Sequence, residues 1–162
     1  MKKHREKKTI RYSAEQIFDL VTDVEKYPEF IPWCENLHIT KRWEEDGVEY
    51  MEAAMTISFK IHRETVHTRV TMKRDPLEVV VDYLDGPFKH LHNVWKFEDR
   101  PPRGSGSPGG SEQGVGSIID FYIEFEIRSR VLQAAMNVVF GEAVRRMVSA
   151  FDARAHQVYG RG

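Results

Sequence analysis

The strongest constraint on this fold is a series of apolar–polar alternations matched by only one long helical pattern. Ile119, Phe121, Ile123, Phe125 and Ile127 alternate with Asp120, Glu124 and Glu126. Met51, Ala53, Met55, Ile57 and Phe59 share one face of an earlier run, and Tyr50, Glu52, Thr56, Ser58 and Lys60 share the other. That period of two is the mark of a half-buried strand. In the next run Val66, Val70 and Met72 fall at even positions, so the phase flips and a turn or bulge lies near Lys60 to Arg63. Leu77, Val79, Val81 and Tyr83 alternate again, and Leu91, Trp95 and Phe97 mark one face of a further strand. Asp46-Gly47, Asp75-Pro76 and Asp85-Gly86-Pro87 punctuate these runs, and 37–45 with 48–59 reads as a hairpin. An antiparallel sheet with one apolar face must cover that face. Only the segment from an N-cap at Ser129 to about Tyr159 is long enough, at about 45 Å of helix. Its expected buried stripe is Leu132, Ala135, Met136, Val139, Ala143, Met147 and Phe151.

The N-terminal part supplies a polar-edged strand over 4–11, then a capping box, Ser13 with Gln16, that starts a helix whose stripe is Ile17, Leu20, Val21 and Val24. In "DVEKYPEFIPWCEN", residues 23–36, Pro28 suits the first turn of a second short helix, and Pro32 forces Ile31 out of helical geometry. The expected architecture is α+β: a curved, antiparallel, seven-stranded sheet around a long C-terminal helix, with two short helices after strand 1. This is the helix-grip arrangement, in which sheet and helix commonly leave a cavity between them. The stretch "RPPRGSGSPGGSEQGVG" is expected as a flexible loop, 99–115, inside a single domain spanning 1–162.

A formal net charge of -1 gives no general pull toward DNA or anionic membrane. The N-terminus is locally basic, with Lys2, Lys3, Arg5, Lys7, Lys8 and Arg11, which fits contact with anionic lipid or with ribosomal RNA. No apolar signal region or membrane span is visible, and the solitary Cys34 fits a reducing compartment. A cytoplasmic protein with a peripheral contact at the inner membrane is the expectation.

The inward positions Met51, Met55, Ile57 and Phe59, and Phe121, Ile123 and Phe125, offer no acid or base for general catalysis, and no catalytic residues are assigned. Met51, Met55, Met72, Met136 and Met147 supply adaptable apolar surface, suited both to core filling and to a flexible apolar ligand. Tyr83, Asn93 and Trp95 are the candidates for orienting a polar head group, and Asn93, between Leu91 and Trp95, must be hydrogen-bonded by backbone or ligand. His90 and His92 share the outer face, where a His–Glu contact with Glu124 is expected and no metal site. Cys34 reads as packing. The greasy cluster Tyr27, Phe30, Ile31 and Trp33 is either a lip for an apolar ligand or a cap on the core.

"YSAEQIFDLVTDVEKYPEFIPWC" at 12–34, "YLDGPFKHLHNVWKF" at 83–97 and "FGEAVRRMVSAFDARAHQVYG" near the C-terminus resemble the coenzyme Q-binding START-like family. It is grouped with polyketide cyclase/dehydrase-like domains and includes ribosome-association toxins of the RatA type. The resemblance implies an internal hydrophobic tunnel, ubiquinone or a related polyprenyl lipid as bound ligand, and a supporting role in respiratory electron transport or quinone biosynthesis. It implies no enzyme and no catalytic cofactor. Binding to the large ribosomal subunit is the alternative, and a cyclase or aromatase the third reading. The residues expected to line the ligand are Phe30, Ile31, Trp33, Met51, Met55, Ile57, Phe59, Val70, Tyr83, Phe88, Asn93, Trp95, Phe121, Phe125, Met136, Val139 and Met147.

Overall fold

Seven strands form one antiparallel sheet in the computed structural model, which describes residues 1–59, 62–100 and 116–160, the side chains of Phe59, His62 and Val139 excepted. The elements run β1 (Lys2–Ile10), α1 (Ala14–Thr22), a 3₁₀ helix (Val24–Glu29), β2 (Cys34–Glu45), β3 (Val48–Phe59), β4 (His62–Arg74), β5 (Leu77–Asp85), β6 (Phe88–Asp99), β7 (Ser117–Ile127) and α2 (Arg130–Tyr159). In space the strand order is β1-β7-β6-β5-β4-β3-β2. All of the chain-order neighbours from β2 to β7 pair directly, and β1 closes onto β7. The expected helix-grip architecture is therefore present. Most of the expected glycine-rich loop, residues 101–115, lies outside the described residues.

Local chemistry explains the turns. Asp46 and Gly47 have φ of 52° and 80°, the left-handed pair that a two-residue hairpin turn between Glu45 and Val48 needs. The phase flip between β3 and β4 is a tight hairpin in which Phe59 pairs with His62, so Met51 faces Val70 and Met55 faces Val66 across the ladder. At the β5–β6 connection Gly86 adopts φ 143°, and a Cβ there would meet the Thr65 carbonyl oxygen at 2.9 Å. Only glycine allows that approach.

α1 begins as its sequence requires. The Gln16 N–H donates to Ser13 Oγ at 3.1 Å, and the Ser13 N–H donates to Gln16 Oε1 at 2.9 Å. The Ala14 N–H donates to Asp99 Oδ1 at 2.8 Å, which ties the helix start to the end of β6. Ile17, Leu20, Val21 and Val24 are buried as the stripe predicts, and Phe18 joins them, edge-on to Phe97. The second short helix starts at Val24, four residues before the expected Pro28. Pro28 sits near its end instead, where the Ile31 N–H still reaches the Tyr27 carbonyl at 2.8 Å.

α2 has the predicted Ser129 cap and reaches Tyr159. Its face is rotated from the expected stripe, of which only Phe151 is buried among the described side chains. Phe140, Val144, Val148, Phe151 and Ala155 are buried, whereas Leu132, Ala135, Met136, Ala143 and Met147 are only half-buried. Both rows are apolar, but the row holding Phe140 and two valines removes more apolar area from water, at about 25 cal/mol per Å². The Val139 side chain lies outside the described residues.

Candidate functional site

The inner face of the sheet divides into a closed half and a half-open half. In the closed half Met51, Val70, Met72, Val79, Trp95, Phe97, Ile119 and Phe121 are buried, covered by Phe18 of α1 and Phe151 of α2. Phe151 is the hub. Its ring lies edge-on to Trp95 at 5.3 Å, Tyr27 at 5.4 Å and Phe30 at 5.1 Å. Such T-shaped pairs are each worth about 0.5–1.5 kcal/mol beyond area burial.

Along the same strands toward the other end, inward side chains remain within reach of solvent. Met55 and Ile57 of β3, Val81 and Tyr83 of β5, Leu91 of β6 and Ile123 of β7 are half-buried. On α2, Leu132, Met136 and Met147 are half-buried too and pack against the edge of the core. On the β7 side this gap is closed by Phe125, whose ring tilts against Phe140 at 4.6 Å, with Phe88 edge-on to Phe125 at 5.9 Å. A half-buried apolar wall of β3, β5, β6 and β7 residues thus lies on the inner face beside α2.

Of the residues predicted to line a ligand, Met55, Ile57, Tyr83, Met136 and Met147 border this gap, and Trp33 and Phe88 are half-buried near its ends. Met51, Val70, Asn93, Trp95, Phe121 and Phe125 share the inner face but are buried within the core. Phe59 and Val139 fall among the undescribed side chains. Val81, Leu91, Ile123 and Leu132 line the gap and were absent from the expected lining. The strand members were legible as same-phase neighbours of Tyr83, Trp95 and Phe121.

The "YPEFIPW" cluster packs against the core. Ile31 is buried, Phe30 packs on Phe151 and Tyr27, and the Arg154 guanidinium covers the Phe30 ring at 5.2 Å while bonding Glu29 at 2.9 Å. The Tyr27 hydroxyl donates to the Val21 carbonyl, and burial raises its pKa.

The polar candidates are engaged to different degrees. Asn93 Nδ2 donates to the Tyr122 carbonyl at 2.8 Å, and its Oδ1 accepts from Trp95 Nε1 at 2.9 Å. Backbone and indole therefore satisfy this amide, as expected of a buried polar group. The Tyr83 oxygen accepts from the Phe88 N–H at 3.0 Å, which leaves the hydroxyl proton to donate. Tyr83 is the head-group candidate with a donor to spare.

On the outer face His90 Nε2 meets Glu124 at 2.6 Å, and the Tyr122 hydroxyl donates to the same carboxylate at 2.6 Å. The Tyr122 and His90 bonds hold the Glu124 carboxyl below the usual range. The ladder sets His92 opposite Glu124, so the His90 contact is diagonal. Among the described residues no cluster of three or more His, Cys, Asp or Glu could hold a metal. Cys34 is buried, and that burial pushes its thiol up to about 11, which disfavours the reactive thiolate. Among the described residues no helix is long and apolar enough to cross a membrane.

The family described as polyketide cyclase / dehydrase and lipid transport matches residues 10–152. The chain belongs to this family. Its relatives include the ribosome association toxin RatA of Escherichia coli K12, 33% identical over 150 residues, covering 93% of this chain and 84% of that protein. Coenzyme Q-binding protein COQ10 homolog B of Xenopus laevis is 32% identical over 160 residues, 98% of this chain but 59% of that longer protein. The solution structure of the 18 kDa protein CC1736 from Caulobacter crescentus superposes with a TM-score of 0.76 at 31% identity, covering 99% of both chains. The START-like resemblance read from the motifs is thus borne out.

Proposed function

We propose that the gap between the half-buried inner wall of β3, β5, β6 and β7 and α2 takes an isoprenoid quinone, ubiquinone or a related polyprenyl lipid. The protein would act as a non-catalytic carrier or chaperone in respiratory electron transport or quinone biosynthesis. The observation that carries this reading is the half-buried apolar wall of Met55, Ile57, Val81, Leu91, Ile123, Met136 and Met147. Apolar side chains left within reach of water on an inner face are a binding surface in waiting. The name of the Xenopus relative, a coenzyme Q-binding protein, supports the choice of ligand.

Magnitudes say what part of the ligand matters. Two isoprene units, ten carbons, contribute roughly 8 kcal/mol at about 0.8 kcal/mol per buried methylene. Association costs at least about 4 kcal/mol, which leaves about millimolar affinity. A third unit adds roughly 4 kcal/mol more. Affinity is therefore set by tail length until the gap is full, with the Tyr83 hydroxyl orienting the ring. Titrating ubiquinones of one, two and three isoprene units against tryptophan fluorescence should show a steep rise in affinity along the series. Mass spectrometry of the natively purified protein should find a co-purifying quinone. A flat series together with an empty native protein would remove the proposal.

A second reading, association with the large ribosomal subunit, is favoured by the 33% identity to RatA across 93% of this chain. Its test is co-sedimentation with large subunits in a sucrose gradient. An unchanged gradient profile with added protein would exclude it.

A further inference from the structure

Outside the apolar gap, an open cleft of about 530 Å³ forms where the start of β1, the adjoining ends of β6 and β7, and the first turns of α2 meet. Lys2, Lys89, Arg128 and Arg130 line it, against one carboxylate, Glu126. Lys89 pairs with Glu126 at 3.4 Å, while Lys2, Arg128 and Arg130 have no carboxylate partner among the described residues. The surface is held in place, because Gln133 Oε1 accepts from the Ile127 N–H at 2.7 Å and pins the helix start to β7.

Beside this basic cleft, Val131 is 77% exposed and Val138 is 84% exposed. Seven residues apart on one helix, they stand on the same face about 10 Å from each other, with exposed Ala134 between them. A single exposed valine needs no explanation. Two in line on a helix, beside cations that lack partners, bring exposed apolar and basic groups together on one surface.

We propose that this face, Val131 and Val138 with Lys2, Lys89, Arg128 and Arg130, docks on an anionic phospholipid bilayer. Charge complementarity selects the occupant: the basic side chains meet lipid phosphates while the valines dip into the acyl boundary. A soluble polyanion such as RNA would use the cations and leave the valines idle. With a net charge of -1 for the whole chain, the attraction is local to this face and orients the molecule. The same turns of α2 carry Leu132 and Met136 on the side that walls the apolar gap. Docking here brings the gap within about one helix diameter of the bilayer. The surface stands whatever the gap carries.

The test is co-sedimentation with phosphatidylcholine vesicles, alone and with one third phosphatidylglycerol, and with immobilised heparin as a polyanion control. Vesicles without quinone keep the result independent of the cargo. The expected result is binding to anionic vesicles only, weakening with salt. Lys89→Glu with Arg130→Glu should cost about tenfold or more in vesicle affinity. Val131→Ser with Val138→Ser should weaken vesicle binding severalfold and leave heparin retention unchanged. Melting temperatures confirm that each variant folds, since all four positions are at the surface. Binding to neutral vesicles as well as to anionic ones, binding to heparin but to no vesicle, or serine variants that bind like the parent would each overturn the proposal.

Discussion

Replacing Phe30 with alanine separates the two uses of the aromatic segment before β2. Phe30 is half-buried, so truncating its ring gives up about half of the 1.5–3 kcal/mol of a full burial, roughly 1 kcal/mol. It also loses edge-on contacts to Phe151 at 5.1 Å and Tyr27 at 6.0 Å, at about 0.5–1.5 kcal/mol each. The Arg154 guanidinium over the ring adds about 0.5 kcal/mol. The expected loss is therefore about 2.5–4.5 kcal/mol, or roughly 5–18 °C in Tm for a domain of this size. Urea denaturation at constant m-value measures it directly. A double-mutant cycle with Phe151→Leu should return a coupling of about 1 kcal/mol between the two positions. Affinity for a short-chain ubiquinone should fall by less than threefold in the folded variant, because Phe30 packs on the closed half of the core. A loss of stability under about 0.5 kcal/mol, combined with a tenfold loss of ligand affinity, would refute the cap and restore the lip.

Phe125→Asp should unfold the protein or leave it more than about 4 kcal/mol less stable, since it places an unpaired carboxylate where the native ring is 2% exposed. Met55→Asp, on the half-open wall, should fold with a smaller loss while abolishing binding of isoprenoid quinone, as read by tryptophan quenching. Arg5 forks onto Asp120 at 2.9 and 3.1 Å and holds its carboxyl below the ordinary value. A depressed carboxylate contributes stability above its unfolded pKa of about 3.9, and that stability is lost as pH falls through the lower folded value. Arg5→Gln should therefore raise the Asp120 pKa in a carbon-detected NMR titration and soften the loss of urea midpoint below pH 4; an unmoved Asp120 would contradict the pairing. With its thiol pushed up to about 11, Cys34 should react with a maleimide-class or disulfide reagent at pH 8 far more slowly in the native protein than in urea. Equal rates would place it at the surface.

The strands from β3 to β7 were legible because a period of two ran between turn signals. The alternation of Ile119 to Ile127 and the Asp46-Gly47 turn define elements without reference to anything distant. The first helix was legible for a similar reason, since Ser13 and Gln16 are three residues apart and cap each other. What sequence could not settle was which of two apolar rows on α2 faces the sheet. Ala143 and Met147 compete there with Val144 and Val148, and the choice depends on what volume the facing strands present. Phe18 was missed because it sits off the stripe of Ile17, Leu20 and Val21, and is buried only because β6 brings Phe97 beside it. The site divided in the same way. Inward phase was readable strand by strand, but the boundary between filled core and exposed wall was not, because it depends on where the covering helices stop.

That boundary follows from dimensions. Seven strands make six gaps of about 4.8 Å, so the flattened sheet is roughly 29 Å across. One helix with its side chains is about 10–12 Å wide. Alone, α2 leaves more than half of the inner face uncovered, even though its 30 residues span the strand direction. At one end α1, the 3₁₀ helix and the residues just after it make up the difference, placing Ile17, Phe18, Val24 and Ile31 in the core. At the other end, among the described residues, no second helix does so, and the inner side chains of β3 and β5 stay half-exposed. Curvature of the sheet narrows the shortfall without removing it. A chain that uses one helix to grip seven strands must fill the remainder with larger side chains or leave it for a guest. Here the facing α2 positions include Ala135 and Ala143, which are small, and Met136 and Met147, which are pliable. Filling the wall from within, by Ala143→Phe, should raise stability or leave it unchanged while excluding the quinone tail. Tight quinone binding by that variant would show that the guest sits elsewhere.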